Sequence, residues 1–290
     1  MKTILVAVND GDSARPVLAT AHLVARTYGS YIEGFYPGMG SPMIITGGFG
    51  GGMGGGGVVP TELVAGLERE EQQRRERARA TFSAFMGEQG IAIGLADPAA
   101  PGPSAAWLDN ANMQASEVVG SYGRVFDLIC VGRPRRDDAA LSLAFVEAAL
   151  FESGRPILLA PPASPATLGR TVVVAWNGST ETVRTLALAM PLMRKAEKVI
   201  VLTVKGGSVS GPPGEDVARN LRFHGIATEA VEVESGSMTV GEAILAFSKD
   251  KGADLLVKGA YTQSRLKQMI FGGATQHILT AAELPVIMAH

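Results

Sequence analysis

Short unbroken apolar runs recur along this chain, each halted by glycine, proline or a polar residue: Ile4–Val8, Leu128–Val131, Ile157–Ala160, Val172–Trp176, Leu255–Val257 and Val286–Ala289. Runs without alternation read as strands buried on both faces, the habit of parallel sheets. The stretches between them carry Ala/Leu-rich or charged patterns that suit helices. Ser30–Tyr36 predicts a second strand and Ile91–Ile93 a third, followed by a connection with Pro98, Pro101 and Pro103 and a helix near 114–120. From Thr61, with Glu62 in the first turn, a long charged helix is expected to about Met86. Its Glu70–Arg74 and Glu71–Arg75 pairs at i,i+4 spacing read as a solvated face. In the second half, strands are expected at Val199–Val204 and Thr228–Val233, and helices at Asp216 to about His224, Val240–Lys249 and Ala274–Ala282.

The pattern occurs twice. Lys2–Asn9 matches Arg170–Asn177 position for position, and Leu18-Ala19 falls opposite Leu186-Ala187 in the same register. Asp127–Gly132 likewise matches Asp254–Gly259, and Arg155–Ala160 matches Leu284–Ala289. The expected architecture is therefore α/β, with two similar doubly wound domains over residues 1–163 and 164–290. Pro161, Pro162 and Pro165 mark the linker. Asp127 and Asp254, equivalent in the repeat, are expected to close the turn into the fourth strand of each copy.

Composition narrows the function classes. The 290 residues are 46% hydrophobic and 19% charged, with a formal net charge of −2 and a pI of about 6.1, so the chain has no electrostatic footprint for nucleic acid. The single cysteine, Cys130, lies inside an apolar run and reads as a small buried hydrophobe. The apolar run at the start of the chain is too short for a signal segment or a membrane span, and a cytoplasmic location is the expectation.

Candidate chemistry concentrates in the closing stretch, Asp254–His290. A strand meets Gly259, a polar and basic loop runs to Gly272-Gly273, and a helix follows. Glycines let backbone N–H groups approach an anion, and a helix start leaves several N–H groups unpaired, so the order suits a phosphate cradle as well as a plain strand-to-helix turn. Counting from the shared prolines Pro156 and Pro285, Leu143 and Ala144 stand opposite Gly272 and Gly273, so the first copy lacks the glycines. Residues 38–57 are mostly glycine and read as a loop, with a lid or partner flap as its functional alternative. The GxGxxG match at Gly50, Gly52 and Gly55 is expected by chance in such a run. No P-loop, HExxH, CxxC or GxSxG motif occurs, and the four histidines, His22, His224, His277 and His290, lack metal-ligand spacing. Trp107, His22 and His277 read as packing residues.

These features resemble the universal stress protein family in its tandem-domain form: VVVAWNGS and ILVAVNDG after the buried first strands, then DLLVxG, a loop, GGxT and a PVI strand. The resemblance implies a five-stranded parallel sheet with helices on both faces in each domain, and a family divided between members that bind ATP and members that do not. It places adenine and ribose against Asn177 and Val204. It places the phosphates against Gly259, Gly272, Gly273, Ala274 and Thr275, with Thr262 at a glycine position of the same nucleotide-binding loop. Lys258 and Arg265 read either as countercharge or as solvated residues on the loop rim. Three positions depart from the ATP-binding pattern: Asn177 stands for an aspartate, Thr262 for a glycine and Gly273 for a serine.

The resemblance implies a regulatory or protective protein that binds ATP, with Mg²⁺, or another adenine nucleotide in the second domain, and not an enzyme. A slow ATPase remains an open alternative, as does a nucleotide-free scaffold for dimerisation and protein interaction. It also implies an internal pseudo-dimer, with Pro156–Ala160 set against Pro285–Ala289, and leaves room for a homodimer of whole chains.

Overall fold

The computed structural model describes residues 1–38, 61–94, 102–110, 113–134, 139–260 and 273–290. Most of the glycine-rich loop, including Gly50, Gly52 and Gly55, lies outside the described residues, as do Thr262, Arg265 and Gly272.

Among the described residues each half contributes five strands. The first has β1 (Thr3–Ala7), β2 (Tyr31–Phe35), β3 (Ser104–Trp107), β4 (Leu128–Gly132) and β5 (Ile157–Ala160). The second has β6 (Thr171–Trp176), β7 (Lys198–Val204), β8 (Thr228–Val233), β9 (Leu255–Gly259) and β10 (Val286–Ala289). They form one sheet in the order β3-β2-β1-β4-β5-β10-β9-β6-β7-β8. Pairing is parallel within each half, and β5 meets β10 antiparallel, with Leu158 opposite Ile287. The two edges where ligands enter parallel sheets, beyond the C-terminal ends of the strands, therefore open on opposite sides of the molecule.

Among the described residues the α-helices are α1 (Ala14–Tyr28), α2 (Thr61–Glu88), α3 (Ala115–Gly120), α4 (Ala139–Glu152), α5 (Thr180–Met193), α6 (Gly214–Phe223), α7 (Val240–Asp250) and α8 (Ala274–Ala281). Alternate strand residues divide the core into two layers. Val6, Leu128, Val174 and Val257 face α1, α2, α5 and α6, while Leu5, Ile129, Val173 and Leu256 face α3, α4, α7 and α8. Both layers run across the β5–β10 seam, which explains why strands readable as continuous apolar runs are covered on both sides.

Three expectations need correction. The third strand is Ser104–Trp107, paired with β2; Ile93 makes only an isolated bridge to Ala105, because Ile91–Ile93 lies outside β3 rather than beside β2. Asp127 and Asp254 do not close turns. Their carboxylates accept from the backbone N–H groups of Thr3 and Thr171, pinning the start of each first strand across the sheet. The charge run on α2 is not wholly solvated, since Arg75 is buried. Trp107 packs against Phe82 with ring centroids 5.4 Å apart, and Gly34 makes room for the same Phe82 ring. Cys130 is fully buried, and burial pushes its thiol pKa up. Among the described residues no helix is long and apolar enough to cross a membrane.

Candidate functional site

In the second half, strand order reverses between β6 and β9, and the crevice at such a switch point is the usual ligand position in open α/β sheets. Asn177 follows β6 there, and Gly259 ends β9. The chain can turn sharply after Asn177 because Gly178 has φ +82°, and a Cβ at Gly178 would lie 2.8 Å from the Val209 carbonyl oxygen. The loop after β7 is drawn over this corner: Val209 N–H donates to the Asn177 carbonyl at 2.8 Å, and the Trp176 indole N–H donates to the Pro212 carbonyl at 2.9 Å.

Asn177 is committed locally. Its Oδ1 accepts from the Thr182 hydroxyl at 2.7 Å and from Ser179 N–H at 3.2 Å, while the Ser179 side chain caps α5 by accepting from Thr182 N–H. Thr182 then meets Gly259. A Cβ on Gly259 would lie 2.5 Å from Thr182 N and 2.8 Å from the Glu181 carbonyl carbon, so β9 passes against the first turn of α5 only because this residue is glycine. Sequence reasoning missed Thr182. The signal was the Asn-Gly-Ser-Thr-Glu-Thr string, in which a cap residue precedes a second hydroxyl three positions on.

One residue earlier, Lys258 points to the other layer. It is only 7% exposed, and its Nζ donates to the Gly259 carbonyl at 2.7 Å and to Thr275 Oγ1 at 2.9 Å. Among the described residues it pairs with no carboxylate, and 261–272 contain no acidic residue. Burial pulls its pKa down to about 8. This lysine therefore sits inside the fold and not on a loop rim, because its strand position aims it at α8.

Thr275 belongs to the first turn of α8, whose N-cap is Gly273, a residue with no side chain to cap with, and that turn holds no acidic residue. Gly273 has φ −77°, and a Cβ there would meet nothing within 4 Å. Neither backbone conformation nor packing by the described residues demands a glycine at this position. Lys258, Gly259, Gly273, Ala274 and Thr275 are thus brought to one place, where a helix N-terminus and a buried ammonium both favour an anion. Asn177 joins them through Thr182. Val204 ends the neighbouring strand, but its side chain is 4% exposed and packed in the core layer facing α7, so only its backbone end faces the crevice.

Comparison with known proteins is decisive for this half. A sequence profile described as the universal stress protein family matches residues 169–290. The second half of the chain belongs to the universal stress protein family. The whole chain is similar in structure to a universal stress protein from Archaeoglobus fulgidus, with TM-score 0.70, 15% identity, and coverage of 99% of this chain and 95% of that one. It is also similar to a putative universal stress protein from Pseudomonas aeruginosa, with TM-score 0.51, 15% identity, and coverage of 100% and 93%. At these identities the likeness speaks for the fold, which the universal stress protein domain at 169–290 shares with the first half. No curated protein sequence gives a significant match.

The first half builds its own switch point differently. Val131 occupies the place of Lys258 and is fully buried, and a Cβ on Gly132 would meet only the end of the Val17 side chain, at 3.2 Å. Leu143 and Ala144, opposite the two glycines, lie inside α4, so no helix begins there. The histidines do not converge: His22 lies edge-on to Phe85, His277 packs over Gly241, and His290 Nδ1 is 3.0 Å from the Ala260 carbonyl oxygen.

Proposed function

We propose that this protein is a cytoplasmic universal stress protein that binds ATP or another adenine nucleotide, with Mg²⁺, in its second half, in a regulatory or protective role and not a catalytic one. The observation that carries the reading is Lys258, a buried ammonium with no carboxylate partner among the described residues, next to the first turn of α8. Burying a cation is unfavourable unless it is compensated, and phosphate oxygens at the α8 N-terminus would compensate it. In this reading Gly273, Ala274 and Thr275 supply N–H groups, Asn177 meets the ribose, the backbone at Val204 borders the base, and Thr262 and Gly272, outside the described residues, are the further phosphate candidates. The site residues described offer no carboxylate, so the metal would travel on the nucleotide phosphates. Isothermal titration of nucleotide-free protein with ATP and Mg²⁺ tests the reading: saturable heat that is lost in Gly273→Val is expected, and absence of heat at tens of micromolar protein would sink it.

A second reading, a nucleotide-free interaction scaffold, draws on the β5–β10 pairing. Each strand covers an apolar edge that would otherwise be open, so the tandem acts as an internal pseudo-dimer, and a homodimer of whole chains would use another surface. Nucleotide carried through purification, read by absorbance and mass spectrometry of the denatured supernatant, separates the two readings.

A further inference from the structure

Among the described residues, six buried side-chain polar atoms lack a hydrogen-bond partner, and four of them, Glu71 Oε1, Arg75 Nε, Arg75 Nη1 and Asn110 Oδ1, belong to side chains gathered around Tyr36. The cluster lies in the first half, beyond the C-terminal ends of β2 and β3, under the middle of α2. Arg75 is 8% exposed and Asn110 2%. The Arg75 guanidinium stands 5.9 Å from the Tyr36 ring centroid, and the carboxylate oxygen it pairs with, Asp109 Oδ1, is 3.7 Å away on a side chain that is 73% exposed. Asn110 donates to the Tyr36 carbonyl at 2.9 Å, which fixes its amide and leaves Oδ1 as an unpaired acceptor. Glu71 Oε2 accepts weakly from the Tyr36 hydroxyl at 3.4 Å, and burial raises the Glu71 pKa.

Unpaired buried polar atoms are rare singly, because each loses its hydration with nothing in return. Four around one tyrosine, on a ligand-accepting edge, call for a shared occupant. The donors come from a guanidinium, whose planar fork suits an oxyanion, and the acceptors are an amide oxygen and a carboxyl oxygen, which suit O–H or N–H groups. We infer that the first half holds a second binding site, built on Arg75, Asn110 and Glu71, for a small organic oxyanion that also carries a hydroxyl or amino donor. Arg75 takes the oxyanion, and Asn110 Oδ1 and Glu71 Oε1 take the donor. Tyr36 forms the floor. The inference is independent of adenine-nucleotide binding, which concerns the opposite edge of the sheet.

The test titrates the full chain with L-lactate and with glycerol 3-phosphate, both oxyanions bearing hydroxyls, and with acetate as a carboxylate lacking the donor. ATP is titrated in parallel, so the two sites succeed or fail separately. Binding heat and a raised Tm with L-lactate identify a carboxylate site, and the same response to glycerol 3-phosphate identifies a phosphate site; acetate binds more weakly in either case. Arg75→Met is expected to lose affinity for the bound probe by about ten- to a hundredfold, the worth of a charged hydrogen-bond pair, with Arg75→Lys between it and the wild type. Should Arg75→Met fail to fold, Asn110→Ser, which shortens the acceptor, must weaken the same probe. Binding of neither hydroxyl-bearing probe at millimolar concentration, or equal binding by wild type and both variants, overturns the inference and leaves water as the occupant.

Discussion

The connections β4–α4 and β9–α8 occupy equivalent places in the two halves, yet they differ where it matters for chemistry. Aligned on Pro156 and Pro285, α4 and α8 end at equivalent residues, Glu152 and Ala281, but α4 has 14 residues and α8 only 8. The first half fills the switch point with the body of a helix and an apolar Val131. The second leaves a helix N-terminus there, over a buried Lys258. The same fold accommodates both, so neither the short helix nor the buried ammonium is a requirement of the architecture. Buried polar groups in the first half lie instead at Arg75 of α2 and Asn110 after β3, beyond the C-terminal ends of β2 and β3.

The two halves meet at the seam, and damage there should cost most. Leu158→Lys puts an ammonium in the β5–β10 pairing, where Leu158 is fully buried, and is expected to cost at least about 4 kcal/mol. Urea unfolding followed by Trp fluorescence checks it, and one shared transition in the wild type that splits in the variant would show the halves to be coupled through this pairing.

Next in size is Gly259, whose equivalent in the first half is Gly132. Gly259→Ala forces a methyl against the backbone of α5 and is expected to destabilise by about 1–3 kcal/mol, measured by chemical denaturation. Of similar size but opposite sign is Lys258→Val, which copies Val131 into the second half. It is expected to stabilise the nucleotide-free protein by about 1–3 kcal/mol at neutral pH and to weaken ATP binding at least about tenfold. The sign follows from burial: the folded pKa of about 8 is below the unfolded value near 10.5, so the unfolded chain binds the proton better. Wild-type stability should therefore be lowest below pH 8 and rise as pH goes from about 8 to 10.5, and Lys258→Val should lose this rise in a pH series of melts. The smallest effect belongs to Gly132→Ala, where the methyl meets only the end of the Val17 side chain, at a cost below about 1 kcal/mol in the same denaturation assay.

Several elements are legible in the residues alone. The duplicated apolar runs are β1 and β6, β4 and β9, β5 and β10, because a strand buried on both faces needs no partner to declare itself. Others are not. Ser104–Trp107 carries no β-branched residue and is a strand only because β2 offers it a free edge, while Ile91–Ile93 has the better propensity and only an isolated bridge. Lys258 and Arg75 escape a sequence reading for one reason: charged side chains are assigned to solvent by default. A helical stripe marks Arg75 as an exception, since Glu71, Arg75, Ala78, Phe82 and Phe85 follow one another at three- and four-residue steps and the last three are core residues. Nothing comparable marks Lys258 except its place directly after an apolar run.

The α/β class, the duplication and the family resemblance of the second half are written in the sequence, because they rest on periodicity and on motifs local in the chain. Packing in three dimensions settles the rest: that the halves share one sheet, that Gly259 yields space to the backbone of α5, that Lys258 is buried against Thr275, and that Arg75 and Asn110 meet around Tyr36. Each of these depends on groups far apart in sequence whose desolvation and hydrogen bonding arise only when the helices pack onto the sheet.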